Sequence, residues 1–212
     1  MKTMAEMLDY NRRWADEMRA KDPAYFSRHA DGQTPAVLLI GCSDSRVPIT
    51  NITGVNPGEM FVHRNIANQV HGADLSAQSV IAYAVDALGV EQILVTGHTA
   101  CGGVLAATKE PHHGLVDHWL GGVRMLWLRY RDELAELPTE DARLDRLVRL
   151  NVMLQVYHLA LNPTVLDAWE QGRRLSVNGM VYDIESGLLE RVVTGVDSRA
   201  TAREQLGGFD PA

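Results

Sequence analysis

Two short, largely apolar runs rich in strand-forming residues stand out, Ala36-Val37-Leu38-Leu39-Ile40-Gly41 and Gln92-Ile93-Leu94-Val95-Thr96-Gly97. Runs without polar alternation predict strands covered on both faces, the pattern of a parallel sheet. Met60-Phe61-Val62 predicts another strand between them. Elsewhere the spacing is helical. Met4, Met7, Leu8, Trp14 and Met18, with charges between them, predict a helix over 3–20 that Asp22-Pro23 interrupts. A further helical stretch runs through Tyr25 and Phe26, and an amphipathic helix over 76–88 stops at Gly89. A helix should begin near Cys101 and run through Ala107. Two longer ones should cover 116–137 and 139–161, the second halted by Asn162-Pro163. Pro163 can open a short helix through Glu170. Residues 174–182 and 188–194 read as strands joined by a turn at Glu185-Ser186-Gly187.

Strands alternating with helices predict an α/β fold with a mainly parallel sheet, whose ligand sites lie beyond the C-terminal ends of the strands. A chain of 212 residues is long enough for one substantial core, and no linker or repeat divides it, so residues 1–212 read as a single domain. The net charge of −7 argues against a nucleic-acid partner, and Arg12-Arg13 and Arg173-Arg174 are too short to change that. Residues 1–8 carry Lys2 and Glu6 and do not resemble a signal peptide. The longest purely apolar run, 36–40, is far below the ~20 residues that span a bilayer. No membrane partner and a cytoplasmic location are therefore expected.

Two cysteines in such a protein point to metal binding or catalysis, or to buried structural thiols. Their placement favours chemistry. Cys42 directly follows the first buried strand, while His98 and Cys101 follow the third. Thiolate and imidazole are ligands that zinc favours, and three of them leave a fourth position open. A structural site would normally be closed by a fourth Cys or His; no further Cys exists, although another His or Asp44 can fill the position. Cys101-Gly102-Gly103 opens a helix, where free N–H groups favour a thiolate and the glycines permit close approach. Asp44 and Arg46, two residues apart beside Cys42, suit a carboxylate held by a forked guanidinium. Elsewhere such a pair would be a surface ion pair worth little. Beside a metal ligand it is placed to act on water at the metal.

The segments Cys42-Ser43-Asp44-Ser45-Arg46 and His98-Thr99-Ala100-Cys101-Gly102-Gly103 together resemble the paired signature of the β-carbonic anhydrases. Residues 58–68 and 177–183 are similar to that family as well, and the likeness is strongest over 33–104. The resemblance implies a mixed sheet with parallel central strands flanked by helices. It implies one Zn2+ per subunit, bound by Cys42, His98 and Cys101, and an Asp44/Arg46 dyad that orients zinc-bound hydroxide. The implied reaction is reversible hydration of carbon dioxide to bicarbonate and a proton. Gln33, Phe61, Ile66 and Tyr83 would line the substrate pocket, and backbone amides near Cys101 and Gly102 would bond the developing bicarbonate. Family members assemble as a homodimer or a dimer of dimers, with pocket residues shared between subunits. Residues 1–30 would be a helical arm packing on the partner subunit. In some members the aspartate takes zinc's fourth position in a closed form, for which Asp44 is the match. In bicarbonate-regulated members a Trp, an Arg and a Tyr hold the ion. Arg64 and Tyr182 match two of these, but Leu39 stands at the Trp position, so that regulation is not expected.

Among the eight histidines, His112-His113 and His118 form a cluster that reads as a solvated loop more readily than as a second metal site. His63 and His71 lie near the signature and are given no role. Trp119, Leu120, Leu126 and Trp127 read as helical packing, and Glu59 and Asp86 as possible ion-pair members. Two competing readings remain: a hydrolase of carbon disulfide or carbonyl sulfide on the same scaffold, and a regulatory protein using Cys42 and Cys101 as a redox pair.

Overall fold

A computed structural model of the chain describes residues 2–111 and 114–211. The two apolar runs become neighbouring strands, β1 (Val37–Cys42) and β3 (Gln92–His98), buried along all but their first residues. With β2 (Met60–Asn65), β4 (Ser176–Tyr182) and β5 (Leu189–Val196) they form one five-stranded sheet in the order β2-β1-β3-β4-β5. The first four strands are parallel and β5 runs antiparallel to β4. The expected mixed sheet with a parallel centre is thus present.

The two faces of the sheet are unequal. Leu38, Ile40, Ile93 and Val95 enter the main core, whereas Leu39 and Leu94 point the other way into a small cluster with Ile49. Ile49 comes from α3 (Ile49–Thr53), a short helix that the hydrophobic pattern does not predict. The main core is closed by α9 (Glu140–Ala160), capped by the Thr139 hydroxyl, which accepts from the Ala142 N–H. Leu147, Leu150, Leu154 and Leu159 of α9 are buried, each contributing about 1.5–3 kcal/mol by leaving water. The helix lies so close to the sheet that glycine is needed beneath it. A Cβ on Gly97 would stand 2.7 Å from Val152 Cγ2, and one on Gly179 would stand 2.6 Å from Val152 Cγ1.

Helices α4 (Leu75–Ala82), α5 (Gly102–Ala107) and α10 (Pro163–Glu170) occupy expected positions. The helix over 76–88 changes to π geometry at Tyr83–Ala87 and ends at Gly89, whose φ is +67°. The helix expected over 116–137 is instead three: α6 (Leu115–Trp119), α7 (Gly121–Arg129) and α8 (Arg131–Ala135). Leu120 and Tyr130 break it, with ψ of 11° and 16°, outside the helical well. Gly121 and Gly122 weaken the helix after the first break, and the Tyr130 hydroxyl accepts from the Asp210 N–H at the second. A last helix, α11 (Arg199–Leu206), begins at a Ser198–Thr201 capping box beyond the final predicted strand.

The N-terminal helix α1 (Met4–Lys21) starts at a Thr3–Glu6 capping box and is followed by α2 (Tyr25–Ala30). Neither buries a single residue. No helix among the described residues is long and apolar enough to cross a membrane.

Candidate metal centre

Two strand ends and one helix start build the site. Cys42 is the last residue of β1, His98 the last of β3, and Cys101 caps α5 one turn later. Ala100, at φ +52°, turns the chain sharply between the last two. The two sulfurs and a ring nitrogen of His98 lie within 4.8 Å of one another, and all three residues are buried.

The donors suit a cation. The sulfurs are 3.9 Å apart, too far for a disulfide and close to the spacing of two ~2.3 Å zinc–sulfur bonds in a tetrahedron. His98 Nδ1 lies 2.9 Å from the Thr99 carbonyl, which can only accept, so Nδ1 carries the hydrogen and Nε2 the lone pair. That Nε2 is buried with no hydrogen-bond partner. An orphaned imidazole nitrogen facing two sulfurs is costly unless something electrophilic sits among them.

Electrostatics agree. Cys42 is pulled well below the ordinary thiol range, first by a hydrogen bond with Cys101 and then, against burial, by His98 and the N–H groups of Asp44 and Ala67. Cys101 is pushed up by the same shared proton and by burial, while the N–H groups of Val104 and Gly103 pull the other way. Without a cation the pair holds one negative charge and one proton. A divalent ion replaces that proton and lets both sulfurs ionise.

Beside the cluster, Asp44 is gripped three times by Arg46. Nε donates to Oδ1 at 3.0 Å, Nη2 to Oδ2 at 2.7 Å, and the backbone N–H to Oδ1 at 2.9 Å. This guanidinium holds the Asp44 carboxyl well below the usual carboxylate range. Arg46 Nη2 also donates to the Ala100 carbonyl at 3.1 Å, tying the Cys42 loop to the Cys101 loop. Asp44 Oδ2 lies 3.7 Å from His98 Nε2.

Residues 37–189 match the family model described as "Carbonic anhydrase". The chain belongs to the β-carbonic anhydrase family. It is 40% identical over 188 residues to a carbonic anhydrase of Emericella nidulans, covering 89% of this chain and 82% of that protein. A solved β-carbonic anhydrase of Coccomyxa, in complex with acetazolamide, is 37% identical with a TM-score of 0.91, covering 96% of this chain and 92% of the other. A tetrameric β-carbonic anhydrase of Sordaria macrospora is 39% identical with a TM-score of 0.84, covering 87% and 94% respectively. The family's members are zinc enzymes, and its general reaction is the hydration of carbon dioxide. Homology over most of the chain makes this protein an enzyme of that kind.

The remaining expected site residues are less tightly gathered. Phe61 and Tyr83 stack obliquely, their ring centroids 5.9 Å apart. Ile66 adjoins the first turn of α5, since a Cβ on Gly103 would come within 2.9 Å of Ile66 Cγ2. Ile66, Tyr83 and Gly102 are exposed, and so is Gln33, in the segment between α2 and β1. Tyr182 is paired with His98 at the end of β4, and Leu39 belongs to the small cluster on the far face.

Several roles have no signal in the sequence. Arg64 is bonded to the backbone of the metal loop, donating to the carbonyls of Cys42 and Asp44. Trp119 packs against the core as expected, but its indole N–H also donates to the Ile66 carbonyl at 2.8 Å. His63 faces the Asn65 amide and His71 bonds the Trp119 carbonyl, so both are held in place. Asp86 does pair with Arg173, whereas Glu59 accepts from Asn56 across a turn and forms no ion pair among the described residues. His118 is exposed, and the His112-His113 pair lies outside the described residues.

Proposed function

We propose that this enzyme reversibly hydrates carbon dioxide to bicarbonate and a proton, with Cys42, His98 and Cys101 holding zinc and Asp44 and Arg46 aiming the nucleophile. The observation that carries the reading is the convergence of two sulfurs and an otherwise unbonded imidazole nitrogen from three separate segments. Zinc held there supplies Lewis acidity and makes hydroxide available near neutral pH. Two thiolates offset much of the ion's charge, which leaves more of the work to the side chains around it.

Asp44 supplies that work. Its carboxylate, kept ionised by Arg46, accepts the hydrogen of the attacking oxygen and turns a lone pair toward the carbon. Phe61, Ile66 and Tyr83 give apolar walls for an apolar substrate. The Gln33 amide and the Gly102 N–H donate to bicarbonate oxygens as charge develops on them. The 3.7 Å separation of Asp44 Oδ2 from His98 Nε2 also puts the carboxylate within reach of the fourth ligand position, the closed form.

Gln33, Ile66, Tyr83 and Gly102 are exposed in one chain, which supports completion of the pocket by a second subunit in a homodimer or dimer of dimers. The arm of residues 1–30 packs on that subunit. Free cysteines at the centre suit a compartment that keeps thiols reduced, the cytoplasm.

Stopped-flow hydration assays with zinc analysis test the reading. Cys42→Ser should lose both metal and activity; Asp44→Asn should lose most activity and keep its zinc. Full activity in Asp44→Asn removes the orienting role. Faster turnover of carbon disulfide or carbonyl sulfide than of carbon dioxide by the wild type would replace the substrate.

A further inference from the structure

The turn after β2 holds two residues in a conformation that L side chains rarely adopt. Ala67 has φ 60° and ψ 30°, and Asn68 has φ 50°. Both are buried. Left-handed non-glycine residues persist only where their surroundings impose them, at about 1–3 kcal/mol each.

A set of buried side-chain amides does the imposing. Asn151 Nδ2, from the middle of α9, donates to the Ala67 carbonyl at 3.0 Å, and Gln69 Nε2 donates to the same oxygen at 2.6 Å. Asn151 Oδ1 in turn accepts from Gln69 Nε2 at 2.8 Å and from Gln155 Nε2 at 2.9 Å. Gln155 Oε1 accepts from the Val70 N–H at 2.8 Å, gripping the chain just past the turn. Asn151, Gln155 and Gln69 are fully buried, and Asn151 uses both ends of its amide. Buried amides of this kind hold a backbone in place because leaving any of them unbonded is expensive.

The turn they hold faces the metal centre. Asn65, which precedes it, lies beside Cys42 in the sheet register, and its carbonyl accepts from the Ser43 N–H at 2.9 Å. The first turn of α5 presses on it from the other side, since a Cβ on Gly103 would come 3.2 Å from Ala67 Cβ. The turn therefore touches the chain on both sides of the site, at Ser43 beside Cys42 and at Gly103 beside Cys101.

We propose that Asn151 is a positioning residue for the metal centre: by gripping the Ala67 carbonyl from α9, it holds the turn that packs against both the Cys42 loop and the first turn of α5, and so keeps the two sulfurs at their spacing. Ligands held at their binding geometry take up a metal more tightly than ligands that must first be ordered. Asn151 touches neither metal ligand nor substrate and acts through one peptide unit. The inference rests on the metal reading above and deepens it.

The test uses the whole protein loaded with Co2+, whose sulfur-to-metal charge-transfer band reports how the two thiolates sit on the metal, together with zinc affinity by chelator competition. Asn151→Asp turns a donor into an acceptor facing the Ala67 carbonyl. Asn151→Ser shortens the reach and is the variant to read if the aspartate variant does not fold. Leu154→Ala, on the same helix but packed toward Gly122, is the control for general loosening. The expected result is a displaced band and zinc binding weakened about tenfold or more in the folded Asn151 variants. Leu154→Ala should lower thermal stability and leave band and affinity unchanged. Folded Asn151 variants with the wild-type band and affinity overturn the inference while leaving the metal reading intact, and so does an equal displacement in Leu154→Ala. A wild-type protein with no such band removes the metal reading itself, and this inference with it.

Discussion

The guanidinium of Arg64 reaches across from β2 to the Cys42 carbonyl, to which Nε donates at 2.7 Å, while Nη2 donates to the Asp44 carbonyl at 2.7 Å. One planar fork thus fixes the peptide units that follow Cys42, a proposed metal ligand, and Asp44, the proposed orienting carboxylate. Lysine offers a single flexible point charge and cannot reproduce two directed bonds. Arg64→Lys is expected to lower kcat/KM about tenfold, with a smaller effect on zinc content, measured by stopped-flow hydration and metal analysis. Wild-type kinetics in that variant would show that the fork is dispensable.

The proposed metal-ligating triad is legible because each member sits at a place the hydrophobic pattern marks. Cys42 and His98 end the two most apolar strands, and Cys101 opens the helix after the second. Arg46 is legible by its spacing from Asp44. Gln69 and Asn151 are not, and Arg64 enters only through the resemblance and in another role, because a single polar side chain that bonds a distant carbonyl leaves no periodic trace. Asn151 and Gln155 together interrupt the apolar buried face of α9, and the strained turn opposite explains them. The break of the 116–137 helix escaped for a related reason: Tyr130 is helix-compatible, and its partner at Asp210 is far along the chain.

Removing the metal should expose the unequal thiols. With no cation, Cys42 carries the thiolate, chiefly through its hydrogen bond with Cys101, which keeps the proton. Chelator-stripped protein treated with iodoacetamide at about pH 6 should therefore be alkylated at Cys42 first, as read by peptide mass spectrometry, and added zinc should suppress the reaction. Equal rates at the two cysteines, or no protection by zinc, would contradict the shared-proton account and revive the redox-pair reading.

Glycine under α9 gives a packing prediction with a built-in rescue. Gly179→Ala places a methyl 2.6 Å from Val152 Cγ1, in a close-packed core that cannot simply yield. A loss of about 1–3 kcal/mol is expected from urea unfolding. Val152→Ala opens a cavity on its own, yet combined with Gly179→Ala it should recover part of that loss. Strictly additive losses would mean that the clash is relieved elsewhere.

His158 sets an acid limit on stability. Burial lowers its pKa from the ordinary 6.5, outweighing the upward effect of the hydrogen bond to the Val70 carbonyl, and His71 adds repulsion. In the unfolded chain the imidazole takes up a proton as the pH falls through 6.5, while the folded protein keeps it neutral until a lower pH. Its stability contribution is whole above that value and is lost below it, down to the folded pKa. Urea midpoints should fall more for the wild type than for His158→Gln between about pH 7.5 and about pH 5.5. Parallel losses in the two proteins would assign the acid sensitivity to other groups.

The N-terminal arm makes the last prediction, because it is ordered without being buried. Trp14 of α1 meets Phe26 of α2 edge-on at 5.7 Å, and Phe26 meets Tyr25 at 5.0 Å, so an aromatic clasp fastens the two helices to each other. On α1 the apolar side chains of Met4, Met7, Leu8 and Tyr10 are each more than half exposed. A helix that presents such a row to water gains little from folding unless another surface covers it. If that surface belongs to a second subunit, deleting residues 1–30 should lower the assembled mass in sedimentation and reduce kcat/KM, because the pocket loses its neighbour. Trp14→Ala, which loosens only the clasp, should shift the same equilibrium part of the way and become concentration dependent. A deletion variant that keeps both the wild-type mass and the wild-type rate would leave the exposed row without a partner subunit to explain it.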